Sequence, residues 1–279
     1  MTVTEPRIDL VHDMDDLYAA ADLWRTVWGG TAWPVQASLL RANVHAGNYA
    51  AGAWLGDRLV GASMGFLAHP GSPVLHSHIT GVLADAAGHG VGRALKAHQA
   101  RWCTDHGIDV VTWTYDPLVA RNAWFNLSRL GVTVTEYLVD FYGDMPDAVN
   151  RGQGSDRLHV AWDVSTWSDE FEPAPAVPAT ADAEPVVVLH DDGDRPRSTG
   201  ATPGPDDVVA VALPADVEDL RRRDPDLAAR WRHAVRDAMA DRLGGPDRPG
   251  GWRLAGFTRD RHYLLVPGDP VTASPSDPA

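Results

Sequence analysis

The run Gly88-His89-Gly90-Val91-Gly92-Arg93-Ala94-Leu95 sets the tightest limit on what this chain can fold into. Three glycines stand at alternate positions, directly after an apolar run, Ile79 to Leu83, and directly before a helical pattern. A backbone without Cβ atoms can turn sharply there and lets a ligand come close. The helix start beyond it offers unpaired N–H groups and a partial positive charge, which suit a phosphate or diphosphate. From the loop alone two readings stay open: a diphosphate cradle, and a plain glycine turn between a strand and a helix.

Two familiar phosphate loops fail on spacing. The dinucleotide fingerprint needs Gly-x-Gly-x-x-Gly, and here Gly-x-Gly-x-Gly is followed by Arg93. The loop of nucleotide hydrolases needs Gly-Lys-Ser/Thr, and the only lysine, Lys96, lies inside the following helix. That helix shows a mostly apolar stripe, Val91, Leu95, Gln99 and Trp102, and Gly107 closes it. Ile108 to Trp113 reads as a buried strand rich in β-branched residues. Arg121 to Gly131 then reads as a second amphipathic helix with a glycine stop.

The glycine loop resembles motif A of the GNAT acyltransferases, Gln/Arg-x-x-Gly-x-Gly/Ala. Gly90 and Gly92 match the small positions, and Ala87 replaces the leading Gln/Arg. Asn122, Leu130 and Gly131 match motif B of that family, whereas Leu127 stands where many members carry a tyrosine that protonates the leaving thiolate. The chain is also similar to one largely uncharacterised subgroup of predicted acetyltransferases. The residues behind that likeness are His76-Ser77-His78, Trp113 to Leu118, Arg121 to Leu127, Phe141 to Met145, Ser155 to Arg157, Leu213 to Asp216 and Ala229 to Arg232.

The resemblance implies an α/β fold with a mixed, mostly antiparallel central sheet flanked by helices, and a C-terminal α+β extension. It implies acetyl-CoA or another acyl-CoA as co-substrate. It places the cofactor contacts on Val82, Leu83, Gly88, His89, Gly90, Val91, Gly92, Arg93, Asn122 and Phe125, with backbone groups of Val82 and Leu83 aligning the pantetheine arm.

The remaining pattern is compatible with that order. Asp16 to Trp28 is an amphipathic helix, and Asn48 to Leu55 and Arg58 to Leu67 are strands joined at Gly56-Asp57. Val74 to Leu83 is the strand that feeds the loop; Val132 to Tyr142 and Arg157 to Val164 are two more. The acyl-CoA-binding domain is expected over 1–164, a linker and surface loop over 165–207, the extension over 208–267 and a disordered tail over 268–279. Within the second half, Val186 to Leu189 and Val208 to Leu213 read as strands. A helical segment from Ala215 to Leu243 should break at Asp224-Pro225, and a hairpin should turn at Thr258 to Arg261.

Composition excludes several partners. A formal net charge of −14 repels phosphate backbones and anionic lipid surfaces, so neither nucleic acid nor a membrane is expected. The single cysteine, Cys103, rules out an internal disulfide and fits a cytoplasmic protein. No apolar leader stands at Met1 to Arg7, and no run reaches membrane-spanning length.

Acyl transfer to an amine needs a base, a polarised carbonyl and a departing thiolate. His76 and His78, two apart on a strand, share a side and are the first candidates for the base; the same residues also suit hydrogen-bonded core or rim positions. No third ligand at a metal-binding spacing accompanies them, so no metal is expected. Tyr115 is a candidate acid. Asp116 either opens a turn before Pro117 or binds an ammonium. His89 either meets a phosphate or faces solvent, and Trp28 or Trp33, beside Gly29-Gly30, is a candidate wall of the acceptor pocket. The expected function is acyl-CoA-dependent transfer of an acetyl or succinyl group to a small amine or amino acid. The alternative is a degenerate fold of the same kind that binds coenzyme A or another ligand without catalysis, which the losses at Ala87 and Leu127 favour.

Overall fold

A computed structural model describes residues 5–29, 32–68, 73–145, 152–168, 184–245, 248–249 and 251–268. Gly30, residues 169–183 of the expected linker, and the tail beyond Gly268 lie outside the described residues. The described residues of Met1–Trp113 and Asp163–Asp169 form one compact unit. Those of Thr114–Met145, Asn150–Trp162 and Glu170–Ala279 form a second.

The first unit contains, in order, β1 (Arg7–Leu10), α1 (Met14–Trp28), α2 (Ala37–His45), β2 (Ala50–Leu55), β3 (Arg58–Leu67), β4 (Val74–Val82), a 3-10 turn at Ala84–Ala86, α3 (Val91–Asp105) and β5 (Val110–Tyr115), whose last two residues belong to the second unit. The strands lie in the order β1-β2-β3-β4-β5; the first three neighbour pairs are antiparallel and β4–β5 is parallel. The expected mixed, mostly antiparallel sheet flanked by helices is thus present. Helix α2 was not legible in the sequence.

Alternation along β3 assigns the helices to faces. Ala62 and Met64 pack with Leu17, Leu23 and Trp24 of α1 and Leu40 and Val44 of α2. The Trp24 indole, fully buried, donates to Ala62 O at 3.1 Å and pins α1 to the sheet. Gly61 faces the other way, where a Cβ would stand 2.8 Å from Val91 of α3. Only glycine lets that helix lie so close to the strand.

Chain chemistry sets the ends of α1. Asp13 caps it by accepting from Asp16 N at 3.0 Å, acidic Asp15 and Asp16 fill its first turn, and Gly29, with φ +63°, closes it through Gly29 N–Arg25 O.

The second unit begins with α4 (Ala120–Ala123), which runs into a π-helical turn, Trp124–Leu130, closed by Gly131 at φ +67°. The expected single amphipathic helix is therefore a short α-turn continued in π geometry. β6 (Thr133–Leu138) and β7 (Arg157–Asp163) pair antiparallel over their second-unit residues. The strand expected to reach Tyr142 stops at Leu138, because Asp140 turns the chain with φ +47°.

Then follow β8 (Val186–Asp191), β9 (Pro196–Ser198), β10 (Val209–Ala212), α5 (Val217–Arg223), α6 (Pro225–Leu243), the two-residue β11 (Gly244–Gly245) and β12 (Arg248–Pro249), β13 (Trp252–Phe257) and β14 (His262–Pro267). A five-stranded sheet has the order β13-β14-β10-β8-β9, with β10–β8 parallel and its other neighbours antiparallel. The break at Asp224-Pro225 and the apolar face Leu227, Trp231, Val235 and Met239 of α6 stand as expected, and all four side chains are buried.

Within 165–207, Val186–Asp191 and Pro196–Ser198 are strands β8 and β9 of the second sheet. The described residues of 114–145 and 152–162 group with the C-terminal part of the chain, and the chain returns to the first unit at Asp163–Asp169. The physical reason is a pair of buried carboxylates. Asp116 accepts from Arg232 Nη1 and Nη2, both at 2.8 Å, and from Arg221 Nη2 at 2.5 Å. Asp156 accepts from Arg236 at 2.6 and 2.9 Å and from the Tyr137 hydroxyl at 2.8 Å. Charges taken out of water must find such partners. These pairs tie the segment after β5, and the 137–157 region, to α5 and α6.

Candidate active site

Strands β4 and β5 form a fork. Their parallel ladder runs Val74↔Val110, Leu75↔Val111 and His76↔Thr112, and β4 continues six residues beyond it. On its other edge β4 pairs with β3, but the register steps from Gly65↔Ser77 to Met64↔Ile79. His78 is therefore the extra residue of a bulge, a feature that re-aims a side chain and interrupts pairing.

Past the bulge the hydrogen-bond alternation resumes. Leu83 N donates to Val60 O at 2.9 Å, so the amides of Gly81 and Leu83 point to β3 and those of Thr80 and Val82 point to the fork. Leu83 O also accepts from Ala86 N at 3.0 Å. Of the two backbone positions singled out in the sequence, Val82 has its amide on the fork edge, and Leu83 is committed to the sheet and the turn.

The glycine loop follows. Ala87 N bonds to Ala84 O at 3.2 Å and His89 N to Ala86 O at 3.4 Å, which winds the chain into a compact turn. Gly88 and Gly90 take φ +84° and +74°, in the left-handed region that suits glycine. Gly90 is the N-cap of α3, and Ala94 N–Gly90 O at 2.9 Å is the first intrahelical bond. The amides of Val91, Gly92 and Arg93 thus precede the i→i−4 ladder.

Residues 87–90 are exposed, and a Cβ built at Gly88, Gly90 or Gly92 meets nothing within 4 Å. No side chain caps α3 and no acid stands in its first turn, in contrast to α1 and to α5, where Asp216 accepts from Glu218 N and Asp219 N. The positive end of this helix is left open to an outside anion. Residues of this shape fit a diphosphate. The His89 imidazole bends back, with Nδ1 3.3 Å from Ala86 O.

His76 and His78 are grouped with Phe66. The Phe66 ring lies 5.2 Å from His76 and 5.5 Å from His78, and the two imidazoles are 6.0 Å apart. His78 is exposed, but partial desolvation of its imidazolium beside Phe66 and His76 holds its pKa below 6.5. His76, His78, Val82 and the amides of 88–93 all belong to the first unit.

On the opposite face of β4, Ser77 is buried and accepts at 2.9 Å from Lys96 Nζ of α3. Lys96 also donates to Gln99 Oε1 at 3.0 Å and lies 3.7 Å from the centre of the Trp113 ring. The sequence placed Lys96 only inside the helix; its one signal was that the chain's sole lysine stands next to Leu95 of the apolar stripe.

Tyr115, Asn122 and Phe125 belong to the second unit. The Tyr115 hydroxyl is wholly enclosed, and burial pushes its pKa above the ordinary phenol value. Asn122 and Phe125 are half-buried on the α4 and π-helical turn, and Leu127 is buried there. Asp116 is not available to an ammonium: burial opposes its ionisation, but Arg232 and Arg221 override this and hold its pKa far below 3.8. Arg121 is paired with Glu218, one of the bonds being 2.7 Å. Trp28 and Trp33 are described but Gly30 and Thr31 between them are not, so the acceptor-pocket wall expected there lies partly outside the described residues. Trp33 donates to Asp22 Oδ1 at 2.9 Å. Among the described residues no three His, Cys, Asp or Glu side chains are grouped as metal ligands, and no helix is long and apolar enough to cross a membrane.

No family model matches the chain, and no curated protein does. Solved structures do. The ribosomal-protein-S18-alanine N-acetyltransferase of Escherichia coli is 15% identical over 60% of this chain and 98% of its own, with a TM-score of 0.46. An N-acetyltransferase of Staphylococcus aureus Mu50 is 13% identical over 57% and 99%, with a TM-score of 0.48. The Salmonella typhimurium protein yncA, solved with its cofactor acetyl-CoA, is 16% identical over 58% and 96%, again with a TM-score of 0.48.

Proposed function

We propose that the chain transfers an acyl group, acetyl in the simplest case, from an acyl-coenzyme A thioester to the amine of a small acceptor such as an amino acid. One observation carries this reading: the open N-terminus of α3 stands directly after a strand whose outer edge has parted from its neighbour. The first feature suits a diphosphate. The second offers backbone groups to an extended amide-bearing arm such as pantetheine, as a sheet edge does to an added strand.

In this reading the amides of residues 88 and 90–93 hold the diphosphate, and the Val82 N–H faces the thioester carbonyl, whose oxygen gains negative charge during attack. His78 takes the proton from the acceptor ammonium. Its lowered pKa leaves it neutral, and therefore able to accept, at pH 7. The amine nitrogen bonds to the carbonyl carbon, the C–S bond breaks, and the departing thiolate takes up the second proton that the nitrogen sheds as the amide forms. A thiol of ordinary pKa, about 8.5, is a tolerable leaving group at neutral pH without a donor. Tyr115 therefore needs no part in the step.

Isothermal titration with acetyl- and succinyl-coenzyme A, with thiol release followed over a panel of amines and amino acids, tests the proposal. Expected are dissociation constants on the order of micromolar and turnover with at least one acceptor. Binding without turnover on any acceptor would instead favour the degenerate, non-catalytic reading that Ala87 and Leu127 suggest.

The pH dependence follows from His78. Its pKa lies below 6.5, so kcat/KM should rise with pH through that lowered value and level off above it. His78→Gln should reduce kcat by about 100-fold or more and remove the acid limb. An unchanged profile in the variant would take the base role away from His78.

A further inference from the structure

The last rung of the β4–β5 ladder is His76↔Thr112, so Ser77 and Trp113 are the first residues of each strand past the point of divergence. One side chain touches both. Lys96 Nζ donates to Ser77 Oγ at 2.9 Å and sits over the Trp113 ring at 3.7 Å. We infer that Lys96 is the wedge of the fork, a positioning residue that joins the helix carrying the phosphate-binding amides to both strands where they separate. The inference rests on the acyl-coenzyme A reading and adds a residue to it.

Several observations favour a working role over simple core packing. Lys96 is 5% exposed, and no carboxylate among the described residues pairs with it. A buried cation of this kind is costly, and an apolar side chain of the same length would fill the space more cheaply. Its partners are all neutral: Ser77 on β4, Gln99 Oε1 on its own helix, and the face of Trp113 on β5. The titratable group that acts on its charge is Cys103 on α3, whose thiol burial pushes up to about 12, so it stays protonated.

The amide nitrogen of Gln99, fully buried, has no hydrogen-bond partner. An orphaned donor beside an amine that no carboxylate neutralises marks a polar cluster kept at a stability cost, as positioning groups often are. Burial lowers the Lys96 pKa to about 7. The ammonium, which attracts the indole face most strongly, thus gives way to the amine as pH rises through neutrality.

The wedge acts on the reaction through its neighbours. Ser77 directly precedes the bulged His78, so holding Ser77 fixes where the imidazole stands. Lys96 lies on the second turn of α3, so the same contact fixes the distance from the diphosphate amides to the fork. Lys96 touches no substrate in this account.

The chain's single lysine makes the test direct. Protein grown on 15N,13C-lysine gives one Nζ signal and one Cε methylene group. Expected are an Nζ titration midpoint of about 7, methylene protons shifted by the Trp113 ring current, and movement of both signals when coenzyme A is added. Lys96→Met keeps length and removes the charge; it should fold at least as stably. Its affinity for coenzyme A should stay within about two-fold while kcat falls by about ten-fold or more. Ser77→Ala, which cuts the β4 arm alone, should give a smaller loss of kcat.

Methylene protons without the Trp113 ring-current shift overturn the inference. So does a signal unmoved by coenzyme A in a sample that calorimetry shows to bind, or a Lys96→Met enzyme with unchanged kcat; each of these leaves the acyltransferase reading standing. Failure of coenzyme A to bind the wild-type protein overturns both.

Discussion

Gly92→Asp should leave the protein folded and slightly more stable while lowering its affinity for coenzyme A by about 100-fold, roughly 2.7 kcal/mol. The two effects have opposite signs because they act on the same dipole. Position 92 is the second residue of α3, its backbone is not left-handed, and a Cβ there meets open space. A carboxylate at that place interacts favourably with the helix N-terminus, by about 0.3–1 kcal/mol. It also occupies the site meant for a diphosphate and repels it. Gly92→Asn, of the same size and uncharged, should lose much less affinity. Calorimetry for binding and thermal denaturation for stability read the two effects separately. A Gly92→Asp protein that binds coenzyme A as tightly as the wild type would remove the glycine loop from the site.

The second large effect concerns stability. Asp116→Asn should cost about 3–5 kcal/mol in chemical denaturation, since it strands two buried guanidinium groups. Arg232 and Arg221 are 2% and 6% exposed in their side chains, and Asp116 is the acid that both of them meet. The amide of asparagine keeps the shape but supplies no charge. A loss under about 1 kcal/mol would mean that the arginines find other partners.

Acid should act in the same direction. The folded-state pKa of Asp116 lies well below its ordinary 3.8, so its contribution is fully present above about pH 4 and is lost as the pH falls toward the folded value. Asp156, also lowered, works the same way: burial opposes its ionisation and Arg236 outweighs this. The variant should therefore show a shallower decline of stability below pH 4 than the wild type.

What could be read from the residues was local. The 3.6-residue stripe from Val91, the glycine stop at Gly107 and the β-branched run before Trp113 place α3 and β5 to within a few residues, because each element carries its own period and its own ends. The break before Pro225 and the hairpin at 258–261 are equally local, since proline and turn geometry act on adjacent residues. The glycine loop belongs to this class. Helix α2 escaped because its nine residues, Ala37–His45, carry no side-chain cap and bury only Ala37, Leu40 and Val44.

The chain order alone thus determined the strand–glycine turn–helix unit, the alternating α and β elements and the absence of a carboxylate in the first turn of α3. These depend on residues next to one another. Only the tertiary structure decided which groups at those elements are free. It directed the Val82 amide outward and tied up that of Leu83, through a bond to Val60 some twenty positions earlier. It withdrew Asp116 from any ligand by pairing it with arginines more than 100 residues away. It set a lone lysine at the point where two strands part. A hydrogen bond or an ion pair across such distances depends on how elements pack, and no spacing along the chain encodes it.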